Sequence, residues 1–219
     1  MLANVGIWVR CNPGALLETD VRAIADAPAL TGVMVAKTET ADELVELDRL
    51  LTSLGSTAAV VPLLESASSV LRAVEIARAP RVQRLQIGEA DLRADMGVTP
   101  GEDERELLHV RSHVVLASTA AGIAPPIAPV STNFRDLDAF RASTEALARL
   151  GFVGRACIHP AQVAIANEVF TPSQEQVNSA RALVEKWERE GAGVAVDDRG
   201  QFVDEAVIRQ ARLVLARAR

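Results

Sequence analysis

The chain has 219 residues, 49% hydrophobic and 24% charged, with a formal net charge of −6 and two cysteines. That is the balance of a globular protein with enough chain for a substantial core. It argues against binding nucleic acid through phosphates, since there is no basic block. It also argues against a disulfide framework, since Cys11 and Cys157 are its only cysteines, and against a bilayer span, since no apolar run approaches roughly 20 residues. The opening MLANVGIWVRCN has no basic region followed by a long apolar stretch, so no secretory signal is expected and a reduced, cytoplasmic setting fits. Aromatic residues make up only 3% and tyrosine is absent, so the core must come from Ala, Val, Leu and Ile.

Short apolar runs alternate with amphipathic stretches from the start. The strand candidates are 5–9, 32–36, 58–64, 85–88, 123–130 and 155–158, aliphatic and mostly bounded by Gly, Pro, Asn or Thr, as buried parallel strands are. The helix candidates between them are 19–27, 40–54, 68–78, 102–122 and 137–150. This alternation predicts an α/β protein with a parallel sheet. Residues 4–170 hold six such units of about 28 residues, whereas a closed eight-unit βα barrel takes about 250 residues. The arithmetic gives a TIM-type barrel two units short, or an open sheet.

After residue 170 the pattern changes. Thr171-Pro172-Ser173-Gln174 predicts a helix start, with Thr171 as N-cap, Pro172 at the first helical position and Gln174 three residues after the cap. Val177, Ala180, Val184 and Trp187 then recur at helical spacing, and Gly191 is a natural stop. Residues 191–200 read as a glycine-containing hinge. Residues 204–219 read as a last amphipathic helix, acidic at its start and basic at its end. The division expected is a barrel domain over 1–170 and a C-terminal helical extension over 171–219.

In parallel α/β folds the chemistry stands at the C-terminal ends of strands. That rule selects Arg10 and Asn12, Lys37 and Glu39, Glu65, Glu89 and Asp91, and His159. Carboxylates and cations gathered at one rim point to a hard divalent cation and an anionic substrate, because Mg²⁺ uses one or two carboxylates and leaves its other positions to water or substrate oxygen. Glu65 stands out because it ends the apolar run Ala-Ala-Val-Val-Pro-Leu-Leu. Each acid has a plainer alternative as a helix cap. Lys37 and Glu39 are substrate-binding candidates that could equally form a surface pair. His109 and His113 have i, i+4 spacing but lack the glutamate of the zinc-protease motif, so a zinc site is not expected. Cys11 and Cys157 read as small core residues.

Several segments taken together resemble the citrate lyase beta-subunit family of magnesium-dependent acyl-coenzyme A enzymes. They are Val9-Arg10-Cys11-Asn12, Leu64-Glu65-Ser66-Ala67 with Glu75-Ile76-Ala77, and Gly88-Glu89-Ala90-Asp91-Leu92 with Asp95-Met96-Gly97. The likeness continues through the segment from Gly151 to Pro160, the run Asn167-Glu168-Val169-Phe170-Thr171-Pro172-Ser173, and Gly200-Gln201-Phe202-Val203-Asp204. The resemblance implies Glu65 and Asp91 as Mg²⁺ ligands and Arg10 as the arginine that holds the substrate's carboxylate or carbonyl end. It implies Asp204 as a catalytic acid that completes the site of a neighbouring subunit, and an eight-stranded βα barrel assembled as trimers or hexamers. Members of the family begin with two further βα units, ending in Phe-Val-Pro-Gly-like and Leu-Glu-Asp-like sequences; neither pattern occurs in this sequence, which agrees with the count of six. The expected activity is Mg²⁺-dependent carbon–carbon cleavage of a 3-hydroxyacyl-CoA ester of the citryl-, malyl- or citramalyl-CoA type. The alternatives are a non-catalytic member that binds metal or partner subunits, and a pyruvate-type aldolase that works without coenzyme A.

Overall fold

A computed structural model describes residues 6–190, 195–196 and 202–218. The elements in chain order are β1 (Ile7–Cys11), α1 (Ala15–Ile24), β2 (Leu30–Val35), α2 (Ala41–Ser53), β3 (Ala59–Leu64), α3 (Ala67–Leu71), α4 (Ala73–Ala77), β4 (Gln86–Ile87), α5 (Glu89–Met96), α6 (Leu108–Ala121), α7 (Leu137–Leu150), α8 (Pro160–Phe170), α9 (Gln174–Glu190), β5 (Ala195–Val196), β6 (Phe202–Val203) and α10 (Glu205–Arg217). The chain divides into two compact units, Met1–Ala166 and Asn167–Arg219. None of the described helices is long and apolar enough to cross a membrane.

In the first unit β1, β2, β3 and β4 form a parallel sheet in that order. Single parallel bridges, Gln86 to Ile127 and Ala128 to Arg155, carry the sheet two positions further. Six parallel positions therefore follow one another, as the alternation predicts. The expected strands 123–130 and 155–158 shrink to these bridges. Pro125, Pro126 and Pro129 remove the backbone donors that a longer ladder over 123–130 would need. Trp8 on β1 and Cys157 beyond the sixth position line one cavity of about 410 Å³ with Met34, Val61, Gln86 and Ile127. Side chains from the first and last positions meet only if the sheet curls, so the sheet is an incomplete barrel, not a flat sheet. Trp8 reaches across β2 because residue 32 is glycine: a Cβ there would lie 2.2 Å from the indole ring.

The helices close the outer face. On α2, Leu44, Leu47 and Leu51 are buried at helical spacing, and the Thr40 hydroxyl accepts the Glu43 N–H at the start. On α7, Phe140, Thr144 and Leu147 face inward, Asp136 caps the start, and Gly151 ends the helix in the left-handed conformation. The single helix expected over 68–78 is two short ones, α3 and α4, separated at Arg72, whose Nη1 holds the Ser68 hydroxyl and the Glu39 carbonyl. α5 and α8 lie outside the expected helix ranges, since neither carries a strong apolar stripe.

In the second unit Trp187, Val203 and Ile208 form a core, with Leu183 and Val184 packed on it. The helix after residue 170 starts later than expected. Its N-cap is Ser173, whose hydroxyl accepts the Gln176 N–H while Gln176 Oε1 accepts the Ser173 N–H, a reciprocal capping box. Within the expected hinge 191–200, residues 191–194 and 197–200 lie outside the described residues, while Ala195–Val196 pairs antiparallel with Phe202–Val203.

The fully buried Leu64 lies at the end of β3, paired with Ile87. Leu64→Ala is expected to cost about 3 kcal/mol of unfolding free energy, the transfer loss plus a cavity. Urea denaturation should show a lower midpoint at unchanged slope.

Candidate functional site

Parallel in-register pairing brings the strand ends to one rim: Cys11 is opposite Val35, Val35 opposite Pro62, and Leu64 opposite Ile87. Lys37 follows β2, Glu65 follows β3, and Asp91 lies in the first turn of α5, just beyond β4. Lys37 has a left-handed backbone, φ 50°, rare for a residue with a side chain. In that conformation its N–H donates to Glu65 Oε2 at 2.8 Å and its ammonium to Asp91 Oδ1 at 3.1 Å. One residue thus holds both carboxylates that the resemblance implies as Mg²⁺ ligands.

Glu65 lies flat against residue 88. A Cβ at Gly88 would sit 2.6 Å from Glu65 Oε1, so only glycine leaves the carboxylate its place. Burial pushes the Glu65 carboxyl above its ordinary value, and the Asp91 charge adds to this; the Lys37 N–H and the Lys37 and Arg10 cations pull the other way. Arg10 is therefore within electrostatic reach of Glu65. It shares a face of β1 with Trp8, the face turned to the barrel interior, and makes no hydrogen bond or ion pair among the described residues. An exposed, unpaired guanidinium at this rim is free to receive an anion.

The other candidates divide. Glu39 accepts the Ser66 hydroxyl at 2.7 Å and so supports the start of α3 next to Glu65. Asn12 holds Asp20 through its amide and its backbone N–H. Glu89 turns away from the rim into a buried pair with Arg111. The His159 ring accepts the Ala161 N–H and stacks on Phe134, a structural place at the start of α8. Asp204 caps α10, its Oδ1 accepting the N–H groups of Ala206 and Val207, and belongs to the second unit. His109 and His113 have ring centroids 6.1 Å apart on α6, and no group of three or more metal-ligating His, Cys, Asp or Glu side chains forms among the described residues. Burial, with the Asp20 charge behind it, pushes the Cys11 thiol up to about 11, so it is no nucleophile at neutral pH.

Two carboxylates with hard oxygen donors fit Mg²⁺, which needs no more from a protein when water and substrate fill the remaining positions. They do not fit a structural zinc site, which takes four nitrogen or sulfur ligands. A cavity of about 500 Å³ adjoins Lys37, lined by Pro13, Gly14, Ala36, Glu43 and Leu47 among others, and is large enough for a small-molecule ligand.

The sequence matches the HpcH/HpaI aldolase/citrate lyase family over residues 3–160. The chain belongs to that family. It is 33% identical over 218 residues to a citrate lyase subunit beta-like protein of Deinococcus radiodurans, covering 97% of this chain and 75% of that protein. It is 36% identical over 213 residues to the L-malyl-CoA/beta-methylmalyl-CoA lyase of Rhodobacter capsulatus, covering 85% of this chain and 66% of the relative. The fold is similar to that of protein CitE from Mycobacterium tuberculosis in complex with magnesium, acetoacetate and coenzyme A, with a TM-score of 0.77 and 30% identity over 96% of this chain and 77% of that one.

The raised Glu65 value has a consequence for stability. A carboxyl held above its ordinary range contributes stability that is complete at low pH and lost as pH rises through the raised value. In metal-free buffer, Glu65→Gln should therefore melt above the unsubstituted protein at about pH 7 and level with it at about pH 3. Calorimetric melting curves at both pH values check this.

Proposed function

We propose that the chain is a Mg²⁺-dependent carbon–carbon lyase that cleaves a 3-hydroxyacyl-CoA ester, of the citryl-, malyl- or citramalyl-CoA type, to an acyl-CoA and a keto acid. The observation that carries this reading is the convergence of Glu65 and Asp91 on Lys37, with Arg10 unpaired on the same rim. The lyase names of the relatives support it.

Glu65 and Asp91 would hold the ion, which when bound supplies a Lewis acid for the substrate's hydroxyl or keto oxygen. The Lys37 ammonium leaves Asp91 Oδ1 for this and becomes free to face the substrate. Arg10 receives the carboxylate end and stabilises negative charge that develops on the reacting oxygen. Glu39 contributes to substrate binding from its position beside Ser66. As the carbon–carbon bond breaks, the substrate hydroxyl gives its proton to solvent and becomes the keto group, and Asp204, reaching from a second copy of the chain, delivers a proton to the enolate carbon. The assembly is a homo-oligomer in the cytoplasm, where Cys11 and Cys157 stay reduced.

A second reading is retro-aldol cleavage of a free hydroxy-keto acid by the same residues, supported by the aldolases in the family's description. A panel of acyl-CoA esters and free keto acids with Mg²⁺ decides between them. Turnover of thioesters alone supports the lyase; turnover of free acids alone supports the aldolase; and no turnover by a Mg²⁺-bound protein overturns both. On the active substrate, Arg10→Lys should lower kcat/KM about 100-fold, as expected where a bidentate fork is lost, and leave Mg²⁺ affinity unchanged.

A further inference from the structure

Asp91 stands on a helix with little to hold it. α5 has eight residues, starts at Gly88 without a side-chain cap, and buries only Glu89 and Leu92. A helix this short does not persist in water by itself. Its far end is tied by Asp95, whose carboxylate accepts the Ala67 N–H at 2.8 Å. Its first turn is tied by Glu89, only 8% exposed, whose two oxygens accept Arg111 Nε at 2.6 Å and Nη2 at 2.8 Å. Arg111, on α6 and 5% exposed, uses its remaining Nη1 on Glu104 at 2.9 Å. Glu104 itself is in the left-handed region, φ 50°.

A buried ion pair is weak evidence for stability, because apolar side chains of similar volume often serve the fold as well or better. What the pair does supply is orientation: a bidentate fork fixes both the distance and the plane of the carboxylate it holds. The group so fixed is two residues before Asp91, in the same helical turn.

We propose that Arg111 is a positioning residue for the metal site, holding the first turn of α5 through Glu89 and so aiming the Asp91 carboxylate. This rests on the reading of Asp91 as a metal ligand. Partners that orient metal ligands in this indirect way carry 10- to 100-fold in metal affinity, and Arg111 does so one step removed, through the backbone of a short helix.

The test uses the full chain with Mg²⁺ alone as the probe. Arg111→Lys keeps the charge and loses the fork; the double variant Glu89→Met with Arg111→Met replaces the pair by apolar side chains. Both are followed by urea unfolding, by Mg²⁺ calorimetry and by amide exchange at residues 92–96, whose N–H groups close the turns of α5. The expected result is a cooperative transition in each, Mg²⁺ binding weakened about 10-fold, and faster exchange confined to 92–96. Mg²⁺ affinity and exchange equal to the unsubstituted protein in either folded variant would overturn the proposal. If Arg111→Lys does not fold, the double variant decides alone. Glu65→Gln is the control: Mg²⁺ binding that does not depend on Glu65 would defeat the metal-site reading, while exchange at 92–96 still reports whether Arg111 orders α5.

Discussion

The site depends on one cation placed between two anions. Glu65 and Asp91 come from successive strand ends, and the Asp91 charge adds to the burial that raises the Glu65 carboxyl. Lys37 offsets that repulsion twice, with its main-chain N–H and with its ammonium. The left-handed turn at Lys37 and the glycine at 88 follow from this arrangement: the first aims the donor at Glu65, and the second leaves room for the carboxylate. The ammonium contact is exposed, with about half of each side chain open to solvent, so it contributes little to stability. A weak, exchangeable contact suits a position that a divalent ion would take.

The barrel around this rim is an arc. β1 pairs with β2 on one side only, so its other edge presents backbone N–H and C=O groups among the described residues. Ile7 on that strand is about half exposed, as is Ile158 beyond the sixth position. Closing an eight-position barrel takes two more parallel strands between them. Trp8 lying over Gly32 fills part of the interior that such strands would otherwise cover.

Much of this was legible in the sequence. The alternation of apolar runs and amphipathic stretches predicted six parallel units because buried strands and one-faced helices write different periods, and α2 and α7 appeared where their apolar spacing put them. In the structure α6 and α7 end at Gly122 and Gly151, both in the left-handed conformation. The strand-end rule singled out Lys37, Glu65 and Asp91, and the structure brings them together. What the sequence could not show was pairing. Glu89 and Asp91 are both strand-end acids two residues apart, yet one is buried against Arg111 and the other faces the rim, a difference set by the distant helix α6. The capping box on Ser173 was missed by two residues because Thr171 and Pro172 carry the same signal. The strand expected over 123–130 shrank to single bridges because three prolines interrupt it, a cost that hydrophobic periodicity does not register.

Crystals grown with Mn²⁺, which substitutes for Mg²⁺ and scatters anomalously, show whether Glu65 and Asp91 form one metal site. A single anomalous peak is expected at the rim, in contact with the Glu65 and Asp91 carboxylates, with the Lys37 ammonium withdrawn from Asp91. No peak between these carboxylates at saturating Mn²⁺, or a peak held by other residues, would contradict a shared site.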